Sequence, residues 1–396
     1  MPWGFKEPFE LYGVSPDYYV VPPSLSDTIE ELVDTIRNGT GSVIVAGPLG
    51  SGKTSLISYL KNDVRSRGIE VLSATAVGSL GYLAEQFAEN MIGTTTYRGF
   101  WKQTYDVYVP TAGSGRLVFG RLMQGMKKDA ESRSVKYLLA IDEFKPLLWA
   151  RSDIRRSVIE HLAHAVNDRT STDVRYANVL FSLIQRPDQD TRQVFDQFLT
   201  VSTRRTKVER SAFERRFRSV VSLFYTELDI SMIASSNILR AKHMDPSKVR
   251  EEDFVRALRP YSFEALIYAA RISGRNPGFC MLLVDDALRE VERNLKNMDV
   301  DPDKIEIDEK MIDVVSRRRF EQESKRLSEE QVQFLRFLET PRKPQEVALR
   351  LNVLRVSKED VEAFVSDLQG RGLVEKTTDD LITTTLLWSK GSRYVT

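Results

Sequence analysis

The sequence contains very little cysteine and histidine. Its 396 residues include one cysteine, Cys280, and three histidines. A single thiol excludes an intrachain disulfide, and this set of side chains does not build a typical zinc site. Chains without disulfides are typical of a reducing compartment. The composition therefore predicts a cytoplasmic protein with no zinc site.

Long apolar runs are also missing. No stretch of about 18 consecutive apolar residues occurs, although a membrane-spanning helix requires one. The opening MPWGFKEPFE does not place an apolar segment after a basic one, as a signal peptide does. We therefore expect no membrane partner.

A strong charge of one sign is absent as well. Lys and Arg number 57 and Asp and Glu number 56, so the net charge is +1. DNA-binding proteins often carry a large basic excess, so any surface for nucleic acid has to be local here. Segment 203–219 is a candidate for contact with duplex DNA, with a solvated basic surface as the alternative. It contains Arg204, Arg205, Lys207, Arg210, Arg215, Arg216 and Arg218 against Glu209 and Glu214.

What the chain does contain, in its first half, is an alternation of apolar strands with amphipathic helices. Each predicted strand is a short apolar run, and helical patterns separate most of them. This alternation predicts an α/β fold with a parallel five-stranded sheet, whose ligand lies at the carboxyl ends of the strands. The predicted strands are 42–47, 69–76, 135–144, 177–185 and 218–225.

The remainder of the chain carries helical patterns. Four helices follow residue 226, and a fifth leads into the last segment, which has three short helices and the ribbon VEKTTDDLITTTLLWS. Three helices with a β-ribbon are the outline of a winged helix. The chain length predicts about two to three domains. We assign an α/β core with its lead-in (1–225), a helical lid (226–325) and a winged-helix domain (326–396).

A glycine-rich stretch follows the first predicted strand and has the form G-x-x-x-x-G-K-T. The backbone N–H groups of such a loop, with the helix N-terminus behind it, surround phosphate oxygens. Lys53 would reach the β- and γ-phosphates of a nucleotide, and the Thr54 hydroxyl would bind Mg²⁺. The predicted nucleotide-binding residues are Gly47, Pro48, Leu49, Gly50, Ser51, Gly52, Lys53, Thr54 and Ser55.

Two carboxylates end the third predicted strand, in YLLAIDEF. Asp142 is placed to hold Mg²⁺ together with Thr54. Glu143 is placed to polarise a water molecule, which favours ATP hydrolysis over phosphate transfer to a metabolite. The pair predicts a Mg²⁺-dependent ATPase in which Lys53 is a further catalytic residue.

Polar residues further along complete the predicted catalytic set. Gln185 ends the fourth strand, beside the expected attacking water, with Ser182 as the alternative inside the strand. Arg215 and Arg216 precede the fifth strand, from which a cation can project into the site of a neighbouring subunit. The arginine pair thus predicts a homo- or hetero-oligomer, and a simple surface pair is the alternative.

The chain resembles AAA+ ATPases in the order of its motifs, which are GPLGSGKT, LLAIDEF, the polar strand end, FERRFRSVVSLFYTEL and SGRNPGFCMLLVDDAL. Within AAA+ it is most similar to archaeal Orc/Cdc-type initiator ATPases, and its opening GFKEPF is similar to that of TniB/ExeA-type helper ATPases. The resemblance covers most of the chain. It implies a P-loop AAA+ core, a lid and a winged helix, with ATP or ADP and Mg²⁺ as ligands and duplex DNA as a partner.

The sequence departs from the family's pattern in two places. Gly278 stands where the resemblance implies the second sensor arginine of the lid, and Arg275 lies slightly earlier. That departure bears on lid closure and on the rate of hydrolysis. Segment 93–116 has no counterpart in the pattern and could contact either DNA or a protein partner.

The predicted recognition helix of the winged helix, 358–372, is acidic. Carboxylates beside DNA phosphates are repulsive. The acidic residues of this helix and of the wing turn are Glu359, Asp360, Glu362, Asp367, Asp379 and Asp380. The cations that could still contact the DNA backbone are Arg371, Lys376, Lys390 and Arg393.

Two functions therefore stay open. In the first, the protein is an Orc/Cdc-like ATPase that binds DNA and uses ATP as an assembly switch in DNA replication, recombination or maintenance. In the second, it is a STAND-like or helper ATPase whose winged helix and 93–116 loop bind protein partners instead of DNA.

Overall fold

The computed structural model describes most of the chain. The described residues are 2–6, 19–38, 42–64, 67–75, 80–92, 115–142, 175–185, 217–297, 301–354, 361–376 and 381–391, with the single positions 162, 166, 168, 170 and 171. No helix within them is long and apolar enough to cross a membrane. Several predicted residues lie outside them, namely Glu143, Arg215, Arg216, Glu359, Asp360, Asp379, Asp380, Arg393 and most of 93–116 and 203–219.

The amino-terminal half of the molecule is built on five parallel strands. They are β1 (Ser42–Gly47), β2 (Ile69–Thr75), β3 (Lys136–Asp142), β4 (Ala177–Ile184) and β5 (Phe217–Ser222). Their order across the sheet is β2-β3-β4-β1-β5, and every pairing is parallel. All six residues of β1 are buried, because this strand has a neighbour on each edge and helices on both faces.

Helices cover both faces of the sheet. They include α1 (Ser26–Asn38), α2 (Lys53–Asp63), α3 (Leu80–Ile92) and α4 (Gly115–Arg133). Successive side chains of a strand point to opposite faces, so Val43 and Val45 belong to one apolar core with residues of α1 and α2. Ile44 and Ala46 belong to the other core, with residues of α3 and α4.

A helical tract follows the sheet. Its helices are α5 (Glu227–Ala241), α6 (Glu251–Leu258), α7 (Phe263–Ile272), α8 (Pro277–Asn297) and α9 (Glu309–Ser324). Side-chain caps fix where three of them begin: Thr226 accepts from the Asp229 N–H, Ser262 from Ala265 and Asp308 from Met311. The core of this tract is continuous with the core on the α1 face of the sheet.

The last part of the chain, 328–391, is called the C-terminal unit below. It consists of α10 (Glu329–Phe337), α11 (Pro344–Val353), α12 (Val361–Gly370), the antiparallel strands β6 (Val374–Lys376) and β7 (Ile382–Thr384), and α13 (Leu386–Gly391). Three helices and a ribbon are present as predicted. The assignment as a winged helix, like the domain boundaries, stays a prediction.

The predicted ribbon is too long at its carboxyl end. LLWS forms the start of α13 instead of a strand. The adjacent Leu387 and Trp388 are both buried, whereas a strand would send them to opposite faces. The indole packs edge-on against Phe320 of α9, with ring centroids 5.9 Å apart. Burial of both side chains in one core therefore favours the helix.

Candidate nucleotide-binding site

The loop 47–54, called the P-loop below, joins β1 to α2 through two glycines in left-handed conformations. Gly50 has φ +80° and Gly52 has φ +83°, which residues with a Cβ rarely adopt. Gly52 is also the N-cap of α2, and no side chain caps this helix end. Helix N-termini carry partial positive charge and favour anions. The loop therefore has the conformation of a phosphate cradle.

Lys53 begins α2 and lies inside the curve of this loop. Its side chain is buried, and Nζ donates hydrogen bonds to the carbonyl oxygens of Gly47 at 3.0 Å and Pro48 at 2.6 Å. The carbonyls thus hold the ammonium next to the N-terminus of α2. A full positive charge and a helix dipole at one place favour a polyanion such as a nucleotide phosphate tail.

The carboxylate of Asp142 connects three elements at the carboxyl edge of the sheet. Thr54 Oγ1 of α2 donates to Asp142 Oδ2 at 2.5 Å, and Ser182 Oγ of β4 donates to Asp142 Oδ1 at 2.5 Å. β4 lies between β3 and β1 in the sheet, so Ser182 stands between the carboxylate and the P-loop strand. The sequence placed Ser182 only as an alternative to Gln185, and the structure makes it a direct partner of Asp142.

The oxygens of Thr54 and Asp142 fit a magnesium ion. Mg²⁺ prefers hard oxygen ligands and usually binds through one or two protein groups, with substrate phosphates and water completing the shell. Among the residues that the structure describes, no group of three or more His, Cys, Asp or Glu side chains could hold a metal. A hydroxyl and a carboxylate beside the phosphate cradle are what such a shared site requires.

Gln185 lies directly after β4 and is buried. Its backbone N–H donates to the Gly47 carbonyl at 2.9 Å, and its side-chain oxygen accepts from Ser222 Oγ at 3.2 Å. The amide group is thereby held between the ends of β1 and β5, beside the first residue of the P-loop. Its proposed role next to an attacking water stays a prediction.

Two residues that the sequence did not single out hold the P-loop from outside. The Tyr225 hydroxyl donates to the Ser51 carbonyl at 2.7 Å, and burial raises the pKa of Tyr225 well above its usual value, so the hydroxyl keeps its proton. Asn276 Nδ2 donates to the Leu49 carbonyl at 2.7 Å. An Asn-Pro pair signals a helix start, but the signal does not say which loop that helix end will contact.

Arg275, the arginine closest in sequence to Gly278, pairs with the C-terminal unit. Its Nη2 atom lies 3.8 Å from Oε2 of Glu375 in β6. Burial raises the pKa of Glu375 to about 6, and Arg275 partly offsets this while Glu227 adds to it. The ribbon therefore buries a carboxylate whose charge is only weakly compensated.

The raised pKa of Glu375 predicts a pH-dependent stability. The folded protein retains this proton up to about pH 6, whereas the unfolded chain loses it near about pH 4.3. The protonated Glu375 carboxyl therefore stabilises the folded protein fully below the pKa that it has in the unfolded chain. This stabilisation is lost as the pH rises through the pKa that it has in the folded protein. Glu375→Gln removes the titration. In urea unfolding, the variant's stability relative to the wild type should rise by about 1.5 kcal/mol between roughly pH 4.5 and 6.5. A constant difference across this range would contradict the burial argument.

Comparison with known proteins shows the fold. No protein-family model and no curated protein matches the chain. The ORC2 protein of Aeropyrum pernix, solved as ADPNP and ADP complexes, is similar with TM-score 0.51 and 12% identity, over 96% of this chain and 95% of that one. The Walker-type ATPase PABY2304 of Pyrococcus abyssi is similar with TM-score 0.51 and 13% identity, over 95% and 99%. These likenesses confirm the predicted α/β fold with its parallel five-stranded sheet.

Proposed function

We propose that the protein is an ATP-binding and ATP-hydrolysing AAA+ switch that assembles on duplex DNA in an Orc/Cdc-like manner. The observation that carries this proposal is the convergence of Lys53, Thr54, Asp142 and Ser182 at the carboxyl edge of the sheet. These residues come from three separate elements, α2, β3 and β4, and they lie together beside the P-loop.

In the proposed reaction the P-loop binds the nucleotide through the N-terminus of α2 and through Lys53, which lies beside that helix end. Mg²⁺, held by Thr54 and Asp142, would neutralise the developing charge on the phosphates. Ser182 fixes the rotamer of the Asp142 carboxylate by donating to the oxygen that Thr54 does not use.

Hydrolysis itself requires a water molecule and a base. We assign the base to Glu143, the residue after Asp142, and assign Gln185 to orient the water. Arg215 or Arg216 of a neighbouring subunit would stabilise the transition state, which makes oligomerisation part of the switch.

The DNA-binding part of the proposal rests mainly on the basic segment 203–219. Cations of the C-terminal unit contribute less, because two of them are already paired within the chain. Arg371 contacts Asp367 at 3.2 Å and Glu323 at 3.6 Å, and Lys390 contacts Asp313 at 2.5 Å. Such pairs would have to break before these side chains could contact phosphates.

The DNA assay therefore targets the basic segment. Replacing Arg204, Arg205, Lys207 and Arg210 by glutamine should weaken binding of a duplex. It should also reduce the slope of log affinity against log salt by about one for each phosphate that the variant no longer neutralises. Fluorescence anisotropy at several salt concentrations measures both quantities. Arg215 and Arg216 are left unchanged, so that a loss of the predicted catalytic arginines does not contribute to the change in DNA binding.

A matched control neutralises four cations elsewhere. Lys248, Arg250, Arg293 and Arg326 have side chains that are 81%, 71%, 73% and 70% exposed. Their replacement by glutamine makes the same change in net charge and should leave the salt slope near that of the wild type. A full chain that does not bind duplex DNA at low salt, or two variants that lose affinity equally, would exclude binding through 203–219.

Binding of protein partners, as in STAND-like or helper ATPases, is the second candidate. One observation favours it: Leu349 and Val353, one turn apart on α11, have 67% and 68% of their surface exposed. Residues at this spacing lie side by side on a helix, and exposed neighbouring apolar side chains favour a protein contact over a phosphate contact. Failure of the duplex assay with nucleotide binding intact would favour this function.

A further inference from the structure

The turn 274–279, between α7 and the first residues of α8, lies between the P-loop and the C-terminal unit. It follows the buried end of α7 and contains two residues with positive φ, Gly274 at +63° and Arg275 at +58°. Asn276 of this turn makes contacts on both sides. The turn is thus a physical connection between the predicted nucleotide site and the last part of the chain.

On the P-loop side the contact is made by a side chain and a backbone group. Asn276 Nδ2 donates to the Leu49 carbonyl at 2.7 Å, and the Gly278 N–H donates to the Gly50 carbonyl at 3.2 Å. A Cβ on Gly50 would lie only 2.7 Å from Asn276 Oδ1. The tip of the P-loop and the start of α8 are therefore in direct contact.

Gly278 makes this approach possible. A Cβ built at this position would lie 3.2 Å from the Gly50 carbonyl oxygen and 3.4 Å from the Gly50 Cα. The distance of 3.2 Å is tighter than most contacts of a Cβ, so a larger residue would require α8 or the Gly50 carbonyl to shift by a few tenths of an ångström. The departure from the arginine pattern at Gly278 thus accompanies a different attachment, in which backbone and Asn276 hold the loop directly.

On the other side the same turn contacts the C-terminal unit. Asn276 Nδ2 also lies 3.4 Å from the Gln369 carbonyl at the end of α12. Gly372, with φ +68°, faces the ring of Phe279 so closely that a Cβ there would lie 2.5 Å from it. One amide group of Asn276 is therefore shared between the P-loop and the end of α12.

This junction contains polar groups that the docked arrangement does not satisfy. Gln369 Oε1 and Arg371 Nη1 are buried and have no hydrogen-bond partner in the described part of the chain. A buried polar group without a partner opposes the arrangement that buries it. The unpartnered Gln369 oxygen therefore weakens the contact between the end of α12 and the turn.

We propose that Asn276 is a positioning residue that couples the P-loop to the C-terminal unit, so that a change in either one is transmitted to the other. The coupling to nucleotide rests on the proposed function, whereas the coupling between the two elements does not. Asn276 also caps α8, because its Oδ1 accepts from the Phe279 N–H at 3.1 Å. A test therefore has to remove the hydrogen bonds that Asn276 Nδ2 donates while keeping the cap that Oδ1 provides for α8.

Asn276→Ser separates the two roles. Serine is a good N-cap, but its shorter side chain does not reach the Leu49 or Gln369 carbonyl. In the full chain without nucleotide, hydrogen exchange should accelerate about fivefold in peptides covering both 49–53 and 368–373, because one shared hydrogen-bond donor is removed. Asn276→Asp, which also keeps the cap and lacks the donor, should give the same pattern and guards against a folding defect in the first variant.

Ser262→Ala is the matched control. It removes the N-cap of α7, where Ser262 accepts from Ala265 N, and so costs a comparable amount of helix stability away from the junction. Exchange at 49–53 and 368–373 should be unchanged in this control. Acceleration at only one of the two places in the Asn276 variants, acceleration at neither, or the same acceleration in the control would overturn the proposal.

A second arm uses ATP with Mg²⁺. In the wild type, ATP should alter exchange at both 49–53 and 368–373, and in Asn276→Ser the change should be confined to 49–53. An ATP effect confined to 49–53 in the wild type would overturn the transmission. If the wild type does not bind ATP at all, the proposed function fails, and the nucleotide-free arm alone decides the role of Asn276.

Discussion

Replacing Lys53 by alanine should abolish ATP binding, with a loss of affinity of at least about 100-fold, as expected when a charged contact to a polyanion is removed from a preformed site. The Lys53 ammonium is held by the carbonyls of Gly47 and Pro48 at the uncapped N-terminus of α2. Its removal takes away the one full positive charge that the described P-loop carries and leaves those carbonyls facing the phosphates. Both effects act against nucleotide binding.

Titration with a fluorescent ATP analogue measures this effect. Lys61→Ala is the matched control, because Lys61 lies in the last turn of the same helix, away from the P-loop. The control should bind ATP like the wild type, and both variants should melt close to it. Retention of wild-type affinity by Lys53→Ala would remove the P-loop from the proposed function.

Glu143→Gln should keep ATP bound and slow hydrolysis by at least about 100-fold, which is typical for the loss of a positioned base. Glutamine has nearly the same shape as glutamate but does not accept a proton from water. Glu143 directly follows Asp142, whose carboxylate contacts Thr54 and Ser182. The substitution therefore acts beside the metal ligands without removing them.

Phosphate release under multiple turnover, together with ATP affinity, separates the two effects. Glu252→Gln in the first turn of α6 makes the same chemical change far from the P-loop in sequence and should hydrolyse ATP at the wild-type rate. An unchanged turnover in Glu143→Gln would exclude Glu143 as the base. Loss of ATP binding in this variant would instead indicate a structural role at the end of β3.

The two variants together also test whether ATP acts as an assembly switch. Lys53→Ala represents a nucleotide-free protein and Glu143→Gln an ATP-bound one. If ATP acts as an assembly switch, the two variants should differ in their binding of duplex DNA or of a partner protein. The Asn276 side chain could transmit the nucleotide state from the P-loop to the C-terminal unit, because the P-loop and the end of α12 share this one hydrogen-bond donor.

The sequence by itself determined the local elements of the site. Gly50 and Gly52 stand where the backbone has positive φ, and the apolar run 42–47 forms β1 with the predicted bounds. Such features depend on a few neighbouring residues, because backbone freedom and strand burial leave a direct pattern in composition and spacing. The P-loop, the strand ending at Asp142 and the helices after residue 226 could be predicted for the same reason.

Only the tertiary structure decided which of these elements meet. The order β2-β3-β4-β1-β5 places Ser182 of β4 between Asp142 and the P-loop strand, and strand order leaves no mark on the spacing of residues along the chain. Asn276 is 227 residues from Leu49, so no local pattern could pair them. In the sequence, Gly278 stands where the resemblance implies an arginine. Only the tertiary structure shows that it allows the start of α8 to lie close to the Gly50 backbone. Contacts of this kind depend on packing across distant segments, which no single stretch of the sequence encodes.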